Sequence, residues 1–172
     1  MSSQLNWTER KFDFDFPVEL YPEIVERVRG TPARLEDRLR PLSPELLVRR
    51  DGDKWSTQEN AGHLLDLESL FAQRLDEYLA GAEVLHAADM SNRKTYDANH
   101  NEVPLELILG DFRKLRISLV NRLDQLDAEL FARVSLHPRL NVPMRLVDML
   151  YFQVEHDDHH LATISCRLKS FV

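Results

Sequence analysis

His156 and His160 stand four residues apart in the run His156-Asp157-Asp158-His159-His160, inside a long helical pattern. On a helix that spacing puts both imidazoles on one face, one turn apart. Neutral imidazole nitrogen is a good ligand for Zn, Ni, Cu and Fe, so such a pair can grip one transition metal. Two ligands rarely complete a site. The third candidate is His63, far upstream in Thr57-Gln58-Glu59-Asn60-Ala61-Gly62-His63-Leu64-Leu65-Asp66, which is also helical in pattern. The expectation is that His63, His156 and His160 meet at one divalent metal. His159, three residues from His156, competes for the last position; the i, i+4 spacing favours His160, as in H-E-x-x-H sites.

Three imidazoles fit Zn or Ni first, with Fe, Mn and Co as alternatives, and affinity order alone does not choose among them. Three protein ligands leave a coordination position open, the arrangement of a catalytic site; structural zinc is normally closed by four. A metal held this way can activate water, or a low-molecular-weight thiol, near neutral pH. Glu59 lies one turn before His63 and can orient an imidazole, fill a fourth position or act as general base. Asp157 is the second candidate base, with Asp66 beside it as an alternative. The ordinary reading of each carboxylate is a solvated helix face, and of a lone buried imidazole a hydrogen bond in the core. Two inward-facing imidazoles on one helix with a third partner favour the metal.

The elements that must position these residues are helices. Residues 1–16 lack a helical period, and Phe12-Asp13-Phe14-Asp15-Phe16 alternates, so an N-terminal arm lying over a core is expected. The first helix is predicted from Pro17 to Gly30-Thr31-Pro32, where glycine and proline punctuate it; Thr31-Pro32 then reads as the start of a second piece, Ala33 to Arg40. Pro41 to Lys54 reads as a connector with a turn at Ser43-Pro44-Glu45. Ser56 or Thr57 caps the next helix, which runs to Leu79 and stops at Gly81. Residues 82–101 read as a loop, and a loop this long in a compact domain suits a site cover. Pro104 to Leu126 is helical, with Leu105, Ile108, Leu109, Phe112, Leu115, Leu119 and Leu123 as its inner stripe. After a connector, Asp127 to Asn141, the last helix runs from Val142-Pro143 to Lys169. The sum is an all-α chain, most simply a four-helix bundle in one domain, 1–172; bundles place metal sites between facing helices.

Composition narrows the classes. With 172 residues, 43% hydrophobic and 30% charged, the chain can bury one substantial core. Its 5 glycines include no phosphate-cradling motif, and a net charge of -7 disfavours nucleic acid. Arg113-Lys114-Arg116 reads as solvated surface. No stretch is apolar enough for a membrane span, and the N-terminal residues lack the order of a secretory signal, so a cytoplasmic protein is the default expectation. The single Cys166 excludes an intrachain disulfide and reads as a buried thiol; Trp55 reads as a packing ring that staples the entry to its helix; His86, His100 and His137 read as surface histidines.

Lys54-Trp55-Ser56-x-x-Glu59-x-x-Gly62-His63-Leu64-x-Asp66, followed by His156-x-x-His159-His160-Leu161-x-x-Ile164, resembles the DinB/YfiT-like superfamily over most of the chain. The resemblance implies a four-helix bundle, often a homodimer, with a divalent metal on His63, His156 and His160. It further implies chemistry of the kind that superfamily holds: metal-dependent hydrolysis, or thiol-dependent S-transfer and isomerisation with bacillithiol or mycothiol.

The leading reading is therefore an enzyme in which metal activates water or a small thiol toward a small electrophilic substrate, as a hydrolase or S-transferase. A non-catalytic, stress-associated metal binder is the alternative, favoured if a fourth protein ligand such as Glu59 closes the site. An H-E-x-x-H-type hydrolase with Asp157 in place of the glutamate ranks last, because Asp is one methylene shorter and no sheet supports that fold.

Overall fold

The computed structural model describes residues 4–170, so positions 1–3 of the expected arm lie outside the described residues. In chain order the helices are α1 (Tyr21–Leu39), α2 (Pro44–Val48), α3 (Thr57–Ala80), α4 (Arg93–Asp97), α5 (Leu105–Leu123) and α6 (Leu146–Ser170). One antiparallel hairpin, β1 (Val134–His137) and β2 (Val142–Arg145), precedes α6 with Val134 opposite Arg145 and His137 opposite Val142. Helices α1 and α3 each pack on both α5 and α6, which makes the four long helices a bundle. Among the described residues no helix is long and apolar enough to cross a membrane.

Helix α3 has clear ends. Ser56 accepts from the Glu59 N–H at 3.0 Å while Glu59 accepts from the Ser56 N–H at 2.7 Å, a reciprocal capping box. Gly81 closes the helix in the left-handed region, φ 73°, where a Cβ would be strained.

Helix α1 corrects the expected break at Gly30-Thr31-Pro32: it runs unbroken with Pro32 inside. An internal proline deprives the carbonyl four residues earlier of its N–H partner. Here that carbonyl belongs to Val28, and the Arg116 guanidinium donates to it at 3.2 Å. The same arginine corrects the reading of α5. Leu115 is exposed while Arg116 turns inward and is fully buried, so this part of the basic run is core and not solvated surface. The hairpin corrects the plain connector expected after α5, and α6 begins at Leu146 because Val142–Arg145 pairs in β2. Strands of four residues are too short to display a period. Asp148 fixes the start of α6 by accepting from the Arg145 N–H at 2.7 Å.

The core has two apolar halves. One gathers Val28, Phe71, Val120 and Val154 from the long helices, and Phe12, Phe14 and Phe16 of the arm pack against it. The other gathers Leu35, Leu64, Phe112 and Leu161. Between them, one residue from each long helix forms a buried polar layer: Thr31, Glu68, Arg116 and Asp157. Arg116 donates to Glu68 at 2.7 Å and to Asp157 at 2.6 Å, and Asp157 also accepts from Thr31 Oγ1 at 2.8 Å. That layer ties α3 and α6, the two histidine-bearing helices, to α1 and α5.

Candidate metal centre

His63, His156 and His160 converge. One nitrogen from each ring lies within 4.8 Å of the others, and all three side chains are buried. His156 Nε2 and His160 Nε2 are 3.2 Å apart. Two imidazole nitrogens on one tetrahedral zinc, with bonds of ~2.0–2.1 Å, lie ~3.3 Å apart, so this separation suits shared ligation.

Hydrogen bonds fix the tautomers of two rings. Asn60 donates through Nδ2 to the Ser56 carbonyl at 2.8 Å, which leaves its Oδ1 to accept from His160 Nδ1 at 2.8 Å. Thr95 donates its hydroxyl to Asp66 at 2.9 Å and therefore accepts from His63 Nδ1 at 3.0 Å. Both rings thus carry the proton on Nδ1 and keep a bare lone pair on Nε2. Partners that hold the far nitrogen of a ligand ring are the usual support of a metal-binding histidine. His156 is different: its Nδ1 has no hydrogen-bond partner among the described residues, and its Nε2 faces the lone pair of His160.

Burial drives all three imidazoles toward the neutral form. It lowers His63 to about 4, with Asp66 opposing and His100 adding to the effect. His156 and His160 fall well below the ordinary value through burial and the neighbouring imidazoles. Neutral imidazoles with converging ring nitrogens form a donor set that fits a divalent transition metal.

Gly62 explains part of this geometry. The His100 ring lies flat on the α3 backbone there, so that a Cβ at position 62 would overlap it. His100 Nε2 then donates to Asp66 Oδ2 at 2.8 Å, and Asp66 in turn holds Thr95, which orients His63. His100 is buried, contrary to the expectation of a surface histidine, and so is His137; His86 is exposed as expected. Trp55 is more than a packing ring, since its centroid lies 4.8 Å from that of His63 and 6.3 Å from that of His160. Trp7 from the arm stands edge-on to His156 at 4.9 Å. Cys166 is an exposed thiol, not a buried one.

The two candidate bases stand elsewhere. Glu59 is committed to the capping box and to an ion pair with Arg50; burial works against its charge, but Arg50 and the Ser56 N–H hold its carboxyl below the ordinary value. Asp157, about 100° around α6 from His156, turns toward Arg116 and Thr31. Neither lines the cavity over the histidines. His159, the competitor for the third position, bonds through Nδ1 to Gln4 at 3.0 Å.

That cavity has a volume of about 250 Å³. Trp7, Trp55, Leu67, Leu70 and Phe152 form apolar walls, and Ala88, Asp89, Met90 and Asn92 from the expected covering segment close one side.

With this geometry in hand, comparison with known proteins is decisive on one point: the family model of the DinB superfamily matches residues 27–164. The chain belongs to the DinB superfamily. Among solved structures, YfiT from Bacillus subtilis, described as a probable metal-dependent hydrolase with an unusual four-helix bundle topology, is similar over 95% of this chain and 94% of its own, with TM-score 0.79 and 18% identity. A mycothiol-dependent maleylpyruvate isomerase is similar over 86% of this chain and 60% of its own, with TM-score 0.67 and 11% identity. At these identities the likeness is one of fold. No curated protein matches the sequence. The superfamily assignment and the YfiT-like topology agree with the family and bundle expected from the motifs.

Proposed function

We propose that this DinB-superfamily protein is a metal-dependent enzyme, a hydrolase or a thiol S-transferase acting on a small electrophilic substrate. The observation that carries the reading is the convergence of three buried imidazoles, one ring nitrogen of each within 4.8 Å of the others. His63, His156 and His160 would hold a divalent metal, Zn or Ni first. Once bound, that metal would supply Lewis acidity and lower the pKa of a bound water or low-molecular-weight thiol. The chain's own residues do the rest. Thr95 and Asn60 orient two of the rings, Gly62, His100 and Asp66 support Thr95, and apolar walls border the site.

The alternative is a protein that binds metal without catalysis. A fourth protein ligand would favour it, and Glu59, the residue best placed in sequence for that part, is bound to Arg50 and Ser56 instead. The open arrangement therefore favours the enzyme.

A screen of zinc- and nickel-loaded protein against activated esters, amides and thiol–electrophile pairs tests the reading. Activity that disappears in His63→Ala and His156→Ala supports it. Metal-loaded protein inert toward both reaction classes would return the role to metal binding alone.

A further inference from the structure

One wall of the cavity carries three hydrogen-bond donors without a matching acceptor. Arg139 forms no ion pair with a described carboxylate, and its Nη2 is buried without a hydrogen-bond partner among the described residues. Its guanidinium lies 5.7 Å from the centroid of the Phe152 ring, and both residues line the cavity. Arg74 is also buried and unpaired with any described carboxylate. Its Nε and Nη2 donate to the His86 carbonyl at 3.0 and 2.9 Å, while among the described residues Nη1 meets only the thioether sulfur of Met149 at 3.6 Å, a weak acceptor.

His137 completes the set. The Leu140 N–H donates to its Nδ1 at 3.2 Å, so in the neutral ring the proton resides on Nε2. Burial, with Arg74 and Arg139 adding to it, keeps that ring neutral near physiological pH. The Nε2–H is buried and has no partner among the described residues. Asp89 is the one carboxylate among the described lining residues, and it is taken up by Ser91 and the Arg93 N–H. Arg74 is buried and Arg139 is partly buried with its Nη2 enclosed; cations so placed beside an unmatched donor are costly unless an anion completes them.

We infer that Arg139, Arg74 and the His137 Nε2–H form a carboxylate-binding subsite, which makes the substrate a small organic acid. The apolar walls select the body of that acid: Leu67, Leu70 and Phe152 face a hydrocarbon or aromatic group better than a hydrated ion such as inorganic phosphate. The inference names the substrate class of the proposed enzyme and rests on that reading for the word substrate. The binding site itself rests on the donors alone.

The test is calorimetric binding of benzoate, with benzamide as the neutral control and inorganic phosphate as the second anion, to chelator-treated protein. Benzoate is expected to bind and benzamide not. Arg139→Gln should weaken benzoate about tenfold or more, the size of a lost charge-assisted hydrogen bond, and Arg139→Lys by less. Arg139 holds no hydrogen bond among the described residues, so the helical signal of its variants should persist; His137→Gln is the second variant and should also weaken benzoate. Equal binding of benzoate and benzamide, or an affinity unchanged in both variants, overturns the subsite. Phosphate binding in preference to benzoate overturns the organic-acid assignment. Benzoate that binds the metal-free protein and depends on Arg139 supports the subsite even if His63 and His156 prove to hold no metal. Metal bound with no response to benzoate sinks the subsite and leaves the metal centre standing.

Discussion

Arg116 on α5 and Asp157 on α6 are joined at 2.6 Å with both side chains fully buried, and Asp157 is the next residue after the ligand candidate His156. The other arm of the guanidinium reaches Glu68 on α3, one turn and a little more beyond His63. One buried cation thus sets the relative placement of the two helices that bring the imidazoles together.

Replacing Arg116 by Met should destabilise the protein by about 3–5 kcal/mol, because two carboxylates remain buried without their partner. Urea unfolding measures it. Burial already raises the Glu68 carboxyl, with Arg116 opposing. Without the arginine the raised Glu68 carboxyl favours the protonated form in the folded state still more, so Arg116→Met should recover stability as pH falls from 7 toward 5. A variant as stable as wild type at pH 7 would show that the layer is dispensable.

Gly62→Ala places a methyl group where the His100 ring lies. The ring must leave, and Asp66, which holds Thr95 against His63, loses one of its two donors. A loss of about 1–3 kcal/mol in unfolding free energy is expected, together with weaker metal binding. Unchanged metal affinity in a folded variant would separate His100 from the site.

Metal-free protein should lose stability on acidification. His63 is lowered to about 4 and His137 to about 4, both first by burial. Between their ordinary range near 6.5 and about 4, the unfolded chain takes up protons that the folded chain refuses, so stability falls as pH falls through that window. Each such histidine contributes a slope of about 1.4 kcal/mol per pH unit when fully developed. The urea midpoint at pH 7, 6 and 5 reads it, and a flat profile would mean the rings protonate freely in the fold.

Both tryptophans of the chain flank the cluster, Trp55 against His63 and Trp7 against His156. Ni(II) or Cu(II) should therefore quench most of the intrinsic fluorescence in a saturable step. Trp55→Phe should leave a smaller signal that still responds through Trp7. Quenching that never saturates, or that survives in His156→Ala, would indicate binding elsewhere.

The bundle and the three histidines that converge were legible because both follow local rules. Helical period marks α3, α5 and α6, and the i, i+4 pair needs only one turn to declare itself. What orients the triad was not legible. Thr95 and His100 come from a polar stretch without period, and the one local signal that could have found them is Gly62 beside His63, since a glycine in a helix can mark a close approach to the backbone. Arg116 breaks the rule that a basic run is solvated, since its two acids lie on other helices and no local pattern announces them. The unbroken α1 has the same origin: Pro32 reads as a helix end until the Arg116 guanidinium is found on the Val28 carbonyl. Glu59 misled in the opposite way. It shares a face with His63, yet three residues earlier Ser56 makes it a cap.

The most direct test is metal content by elemental mass spectrometry on untagged protein, beside His63→Ala and His156→Ala. The account predicts about one divalent metal per chain, lost in both variants while the helical signal persists. Wild-type protein that is isolated without metal and refuses added Zn, Ni, Mn and Fe would contradict it, and the three imidazoles would then be polar residues of the core.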